Sequence, residues 1–265
     1  MKIELIANGY NFRTLCSQVI DADTINNQRD YQNGDIVFCK TDYLGVFFAE
    51  VRNFKGELKL VSHQSDYPVG EMLVSHKPNC VKKWFAQNID FQHPNLIPIP
   101  IGVPNHSGPS AASSKYIDLD FVEKELPIRC KKQNKIYANF NTTHWSRFNV
   151  RAKLKNCENV FFSEGNLSSA DYHREMAQHM FVASPRGNGI DCHRTWEALL
   201  VGSIPIVERH FMYDFYPTLP IVQIDSWDEV LEKGFLESQA EKILKRRLDL
   251  SAVYMPYWID KIKNP

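Results

Sequence analysis

Short apolar runs alternate with stretches of helical spacing along this chain, and the alternation comes in two series. In the first series Ile3–Ala7, Asp35–Lys40, Leu58–Ser62 and Leu96–Ile99 read as strands, being short, apolar and rich in branched residues. Between the second and third of these, Leu44, Phe47, Phe48 and Val51 recur at helical intervals, which predicts a helix over Tyr43–Val51. Around 98–134 the pattern breaks: Pro98, Pro100, Gly102, Pro104, Gly108 and Pro109 punctuate the chain, and Ser-rich and Lys-rich sequence follows. A second series then begins, with strands predicted at Lys135–Phe140, Val160–Ser163, Phe181–Ser184, Ile204–Val207 and Ile221–Ile224. Its predicted helices are Ser169–Met180, Asp191–Val201, Asp228–Leu231, Glu237–Leu248 and Ala252–Ile262. Strand–helix alternation implies an α/β chain with parallel sheets. The expected units are 1–104, a linker or hinge at 105–134, a second unit at 135–250, and a C-terminal helix at 251–265 crossing back to the first unit. Two such sheets leave a cleft, and their ligands sit at the carboxyl ends of the strands.

The 265 residues carry 31 Lys plus Arg and 31 Asp plus Glu, so no global field draws in nucleic acid or an anionic membrane. No apolar run approaches the ~18–20 residues that span a bilayer, and Met1–Ala7 reads as a strand carrying an acid rather than as a signal peptide. The six cysteines form no CxxC pair and no Cys/His cluster at zinc spacing, so they read as free thiols of a reducing compartment. A cytoplasmic location is expected, where sequon-like triplets such as Asn141-Thr142-Thr143 have no meaning.

The chemistry concentrates between Ser184 and Glu197. A strand ends at Ser184, the loop Pro185-Arg186-Gly187-Asn188-Gly189 follows, and a helix is predicted to open near Asp191. Gly187 and Gly189 allow positive φ and close backbone approach, while a helix start offers free N–H groups and a positive dipole end to a phosphate. Arg186 adds a bidentate donor. Within the helix, Arg194 and Glu197 share a face, so a carboxylate able to take both ribose hydroxyls stands beside a cation able to reach phosphate. A bare turn, an Asp191 N-cap and an i,i+3 ion pair are the alternative readings of the same residues.

Ser184-Pro185-Arg186-Gly187-Asn188-Gly189, Asp191, Arg194, Trp196-Glu197-Ala198-Leu199 and Gly202-Ser203-Ile204-Pro205-Ile206-Val207 together resemble the exostosin family of glycosyltransferases, and more closely its short soluble members from bacteria and large DNA viruses. The resemblance covers 135–225 and, more loosely, 35–105, where Lys59–Asp66 and Trp84–Asn88 look like the first half of small members. It implies a GT-B-like fold: two Rossmann-like, open parallel-sheet domains facing a cleft, with the donor on the second. It also implies inverting transfer from a nucleotide sugar, usually a UDP-sugar, to a glycan hydroxyl, with no cofactor and no bound metal required. The sugar is open among xylose, other pentoses, galactose and glucuronate, with a lean to UDP-xylose from the short members.

By position and resemblance, Asn139, Asn141 and Thr142, ending near Arg147, form the second wall of the phosphate site. The base that deprotonates the acceptor should follow a first-domain strand: Asp66 is the first choice, Asp42 and His63 the others. Cys192, His193 and His210 show no metal-ligand spacing, and Asp21-Ala22-Asp23 stands alone. A dehydrogenase is disfavoured because Asn8-Gly9 is all that follows the first strand in place of GxGxxG. The rivals are a nucleotide- or sugar-binding protein on a decayed transferase fold, and a phosphorylase or epimerase of the same fold.

Overall fold

In the computed structural model, residues 2–106, Val122, 132–163, Gly165 and 167–264 are described. Their apolar runs build two parallel five-stranded sheets. The first contains β1 (Gln18–Ile20), β2 (Ile36–Lys40), β3 (Leu58–His63), β4 (Val81–Ala86) and β5 (Leu96–Pro98), in chain order across the sheet. The short helices α1 (Gly9–Thr14), α2 (Leu44–Glu50) and α3 (Glu71–Ser75) belong to this half. Consecutive burial of Val37, Phe38 and Cys39 shows that both faces of β2 are covered, as parallel strands require.

The second sheet contains β6 (Gln133–Ala138), β7 (Val160–Phe162), β8 (His179–Ala183), β9 (Ile204–Glu208) and β10 (Val222–Ile224), in the spatial order β10-β9-β8-β6-β7. Helices α4 (Ser146–Leu154), α5 (Ser169–Ala177), α6 (His193–Leu200) and α7 (Phe235–Leu244) accompany it. The order reverses between β6 and β8, which pair with each other although β7 lies between them in the chain. That reversal opens a crevice at the carboxyl ends of β6 and β8, where open α/β sheets take their ligands.

Strand alternation assigns alternate residues of the second sheet to two cores. Tyr137, Val182 and Val207 join one cluster with Phe38, Trp84, Trp196 and Trp258, so the buried core runs from the first sheet to the second without a break. Ile136, Phe181 and Ile206 point the other way, onto Leu236 and Ile243 of α7.

Several sequence expectations are corrected. Ile3–Ala7 is not a sheet strand: Ile3–Leu5 is a 3-10 turn, and Ile6 makes a lone antiparallel bridge with Tyr254. The segment serves as a strap instead, with Ala7 N donating to Val253 O at 2.9 Å and Val103 N to Ala7 O at 3.0 Å. Strands β1 and β4 and helices α1, α3 and α4 had no predicted counterpart; Val81-Lys82-Lys83-Trp84 carries two lysines that mask β4. Most of the expected linker, 105–134, lies outside the described residues, and β6 already begins at Gln133.

The last helix, α8 (Met255–Lys263), lies against the first half. Lys59 Nζ donates to Ile262 O at 3.0 Å and Lys263 O at 2.8 Å, placing a cation on the negative end of the helix. Trp258 packs its indole against Phe12 (centroids 6.1 Å) and Tyr216 (6.2 Å), and its Nε1 donates to Ala252 O at 2.8 Å. Truncating this buried ring removes apolar contacts shared by both halves. Trp258→Ala should lower stability by about 3–5 kcal/mol, read as one shifted urea transition. A loss below about 1 kcal/mol would show that α8 contributes little to holding the halves together.

Candidate functional site

A cleft of about 520 Å³ opens at the β6/β8 reversal. Asn139, Asn141, Thr143 and Arg147 line it from beyond β6, and Gly187, Asn188 and Gly189 from beyond β8. Arg194 and Glu197 reach it from α6, Tyr172 from α5, and Asp66, Ile101 and Pro104 close it from the first half. Of the expected donor residues, Ser184, Pro185, Arg186 and Thr142 do not line it.

Their geometry explains why. Ser184 is buried with its Oγ 2.9 Å from Thr195 Oγ1, tying β8 to α6. Pro185 O accepts from Arg147 Nη2 at 3.0 Å. Arg186 curls onto its own loop, with Nη2 3.3 Å from Asn188 O, and its backbone N donates to Glu208 Oε2 at 3.0 Å. Arg147, expected as the charged wall of a phosphate site, is spent on protein. Its Nε donates to Arg186 O (2.8 Å), Nη1 to Asn141 O (3.0 Å) and Thr143 Oγ1 (3.2 Å), and Nη2 to Pro185 O and Cys192 Sγ (3.4 Å). A guanidinium has five N–H groups, and all five are used, so Arg147 shapes the two loops and lends its field without a free donor.

Neither Gly187 nor Gly189 has positive φ. They are small because protein comes close: a Cβ at Gly189 would lie 2.7 Å from Asn88 Nδ2, and one at Gly187 3.2 Å from Arg147 Nη2. Asn88 itself, at φ +54°, lies two residues beyond β4 and faces the other half. Its Oδ1 accepts from Asp191 N at 2.9 Å.

Asp191 is likewise not the first residue of the helix; α6 begins at His193. Its buried carboxylate accepts from Ile101 N and Trp196 Nε1, both at 2.8 Å, and from Cys192 N at 2.8 Å. It joins the halves from the wall of the cleft. Burial pushes its pKa up to about 6, against the lowering by those donors.

Arg194 and Glu197 both line the cleft from α6. Arg194 Nε donates to Asn139 O at 3.0 Å and the guanidinium lies 5.7 Å from the Phe140 ring centre. Its Nη1 is out of solvent and has no hydrogen-bond partner. An unsatisfied buried donor on a cation is costly, and an anionic ligand in the cleft would relieve it. Glu197 is 5% exposed, 3.3 Å from Tyr172 OH and 3.5 Å from His173 Nε2. Burial opposes its ionisation, but the His173 ring 3.5 Å away and the neighbouring His193 and Arg194 outweigh it and hold the pKa below the usual carboxylate range.

Across the cleft, exposed Asp66 accepts from Asn188 Nδ2 at 3.4 Å. Asp42 lines an adjoining hollow of about 710 Å³. Burial would raise its pKa, yet hydrogen bonds from Lys40, at 3.1 Å, and Ser65 keep it low, which makes it a poor base. His63 is excluded as a base. Its Nδ1 accepts from Gln64 N at 2.7 Å and its Nε2 must therefore donate to Pro100 O at 2.9 Å, while full burial pushes its pKa down to about 3.

Sequence reasoning gave no role to Tyr172, His173 or Asn88, and set His193 aside. Tyr172-His173 on a predicted helix was the one available signal; Asn88 has none, since its role exists only once the halves meet. Among the described residues no group of three or more His, Cys, Asp or Glu side chains converges as a metal site, and no helix is long and apolar enough to cross a membrane.

Compared with known proteins, the chain matches no family model and no curated protein.

The Asp191 carboxyl gives a pH signature. Its folded pKa, about 6, lies above the ordinary 3.8. The protonated form thus contributes stability that is fully present below the unfolded value and is lost as pH rises through about 6. Wild type should lose roughly 2–3 kcal/mol relative to Asp191→Asn between pH 3.5 and pH 7.5 in urea titrations. A gap that stays constant with pH would mean that Asp191 titrates as an ordinary acid.

Proposed function

We propose that this protein is a glycosyltransferase of GT-B-like architecture that binds a nucleoside-diphosphate sugar in the cleft between its halves and passes the sugar, with inversion, to a glycan hydroxyl. The observation that carries the reading is the Arg194 guanidinium, with an unpartnered Nη1, beside the buried, ionised Glu197 on one face of α6. A cation answers a diphosphate and a carboxylate answers a vicinal diol, so the pair fits a ribose joined to phosphate. The pair stands at the strand-order reversal, where nucleotides bind in open α/β sheets, and a volume of about 520 Å³ suits a ligand of that size. The exostosin-like pattern makes uridine the first base to test and UDP-xylose the first donor.

A binding protein without turnover would share the cation–carboxylate pair, so binding and turnover need separate assays. UDP at 100 times its dissociation constant should stabilise the protein by ~2.7 kcal/mol, seen as a rise in melting midpoint. Arg194→Gln should abolish most of that rise. An undiminished rise in the variant would place the nucleotide elsewhere.

Donor turnover should persist in excess EDTA, because Arg194 and the N-terminal end of α6 already meet the diphosphate charge. Loss of turnover in EDTA with recovery on adding Mn²⁺ or Mg²⁺ would show that the donor is held through a metal.

A further inference from the structure

We infer that His173 is a positioning residue that holds Glu197 for the ribose and so makes the cleft prefer a ribonucleoside diphosphate to its 2′-deoxy form, an inference that rests on reading the cleft as a nucleotide-sugar site. Glu197 lines the cleft from α6, and Tyr172 lines it from α5. His173, the next residue of α5, is buried and does not line the cleft. These two neighbours in the chain meet one oxygen each of the same carboxylate. Tyr172 OH lies 3.3 Å from Glu197 Oε2, and His173 Nε2 lies 3.5 Å from Oε1. Burial pushes the Tyr172 pKa well up, so its hydroxyl keeps the hydrogen that it donates.

The His173 ring is fixed from its other side. Its Nδ1 lies 2.7 Å from Ser169 O, with Ser169 Oγ farther off at 3.4 Å, and the Tyr172 ring stands edge-on at 5.0 Å. A carbonyl cannot donate, so Nδ1 carries a hydrogen. That leaves Nε2 to face Glu197, and Nε2 is out of solvent with no hydrogen-bond partner. A bare lone pair there would oppose the charged Oε1, whereas a second hydrogen would meet it as a donor. The carboxylate thus favours the doubly protonated ring. The two side chains are only 1% and 7% exposed, so their attraction is little screened.

The arrangement leaves Glu197 ready for a diol. Each carboxylate oxygen has about two lone-pair directions. One on each faces α5, and one on each remains for the cleft, where a ribose supplies two adjacent hydroxyls. A free Glu side chain turns about several bonds, and ordering it on binding costs affinity. Held from α5 beforehand, Glu197 meets the hydroxyls without that cost. A sugar lacking the 2′-hydroxyl leaves one oxygen of a buried carboxylate unmatched.

The test measures dissociation constants of UDP and GDP, each beside its 2′-deoxy form, by calorimetric titration of wild type, His173→Asn and His173→Gln. Asn ends near the Nδ1 position, so it can keep the bond to Ser169 O while presenting nothing to Glu197; Gln carries an amide N–H out to about the Nε2 position. Wild type should bind the ribonucleotide roughly tenfold or more tighter than the deoxyribonucleotide. His173→Asn should lose most of that preference through weaker ribonucleotide binding, and His173→Gln should retain more of it. In a Glu197→Gln background, His173→Asn should change the preference no further. His173→Met, which also lacks a donor, replaces His173→Asn if that variant does not fold, with the same loss expected. The inference is overturned if wild type binds both forms equally, if His173→Gln loses as much preference as His173→Asn, or if His173→Asn still acts without Glu197. A lower melting midpoint with an unmoved preference marks a merely structural histidine and overturns this inference alone. Wild type that binds neither UDP nor GDP sinks the nucleotide reading and this inference with it.

Discussion

The buried carboxylate of Asp191 is the interaction on which the rest of the arrangement depends. It accepts Ile101 N from the first half and Trp196 Nε1 and Cys192 N from the second, while its own N–H goes to Asn88. A carboxylate taken out of water must be supplied with donors, and the Ile101 donor is in place only when the two halves are docked. The cost of burying the charge is therefore offset only in part, and by a specific relative position of the sheets. That position brings Gly189 against Asn88 and sets His193 beneath Gly102, and both contacts shape the cleft.

A second layer of polar bonds fixes the cleft walls. Arg147 gathers carbonyls from the loops after β6 and β8, and Glu208, at the end of β9, accepts Arg186 N at 3.0 Å and Trp227 Nε1 at 2.7 Å. Loop backbone that would otherwise need water is satisfied by two side chains, one of each charge. What this leaves over is informative. Where every donor of Arg147 is matched, one terminus of Arg194 is not, and the contrast between two arginines of the same cleft separates the one that builds the site from the one with capacity for a ligand.

The unbroken core changes the expected mechanics. Two units joined by a hinge would each close their own core, with a polar interface between them. Here Phe38, Trp84, Trp196, Val182 and Trp258 belong to a single buried cluster, and the terminal helix is pinned by Lys59 at its end. Opening the cleft by a large rotation would expose that shared surface at about 25 cal/mol per Å², so ligand exchange is better served by local motion of side chains at the mouth.

The sequence by itself determined the α/β class, all five strands of the second half and the run from Ser184 to Glu197, because short apolar runs and loop residues with their own turn chemistry are local properties. It also placed Arg194 and Glu197 on one helix face, since 3.6-residue periodicity is local too. It could not show that Ile3–Ala7 would serve as a strap, since an isolated apolar run is the same whether it finds a sheet or the last helix. Nor could it tell Arg147 and Arg186 from Arg194, or show how differently Asp66, Asp42 and His63 are held. Those distinctions depend on which partners lie within hydrogen-bond reach. Partners such as Asn88, Ile101 and Gly102 are 90 residues or more from Asp191 and His193 in the chain, and only tertiary docking brings them together.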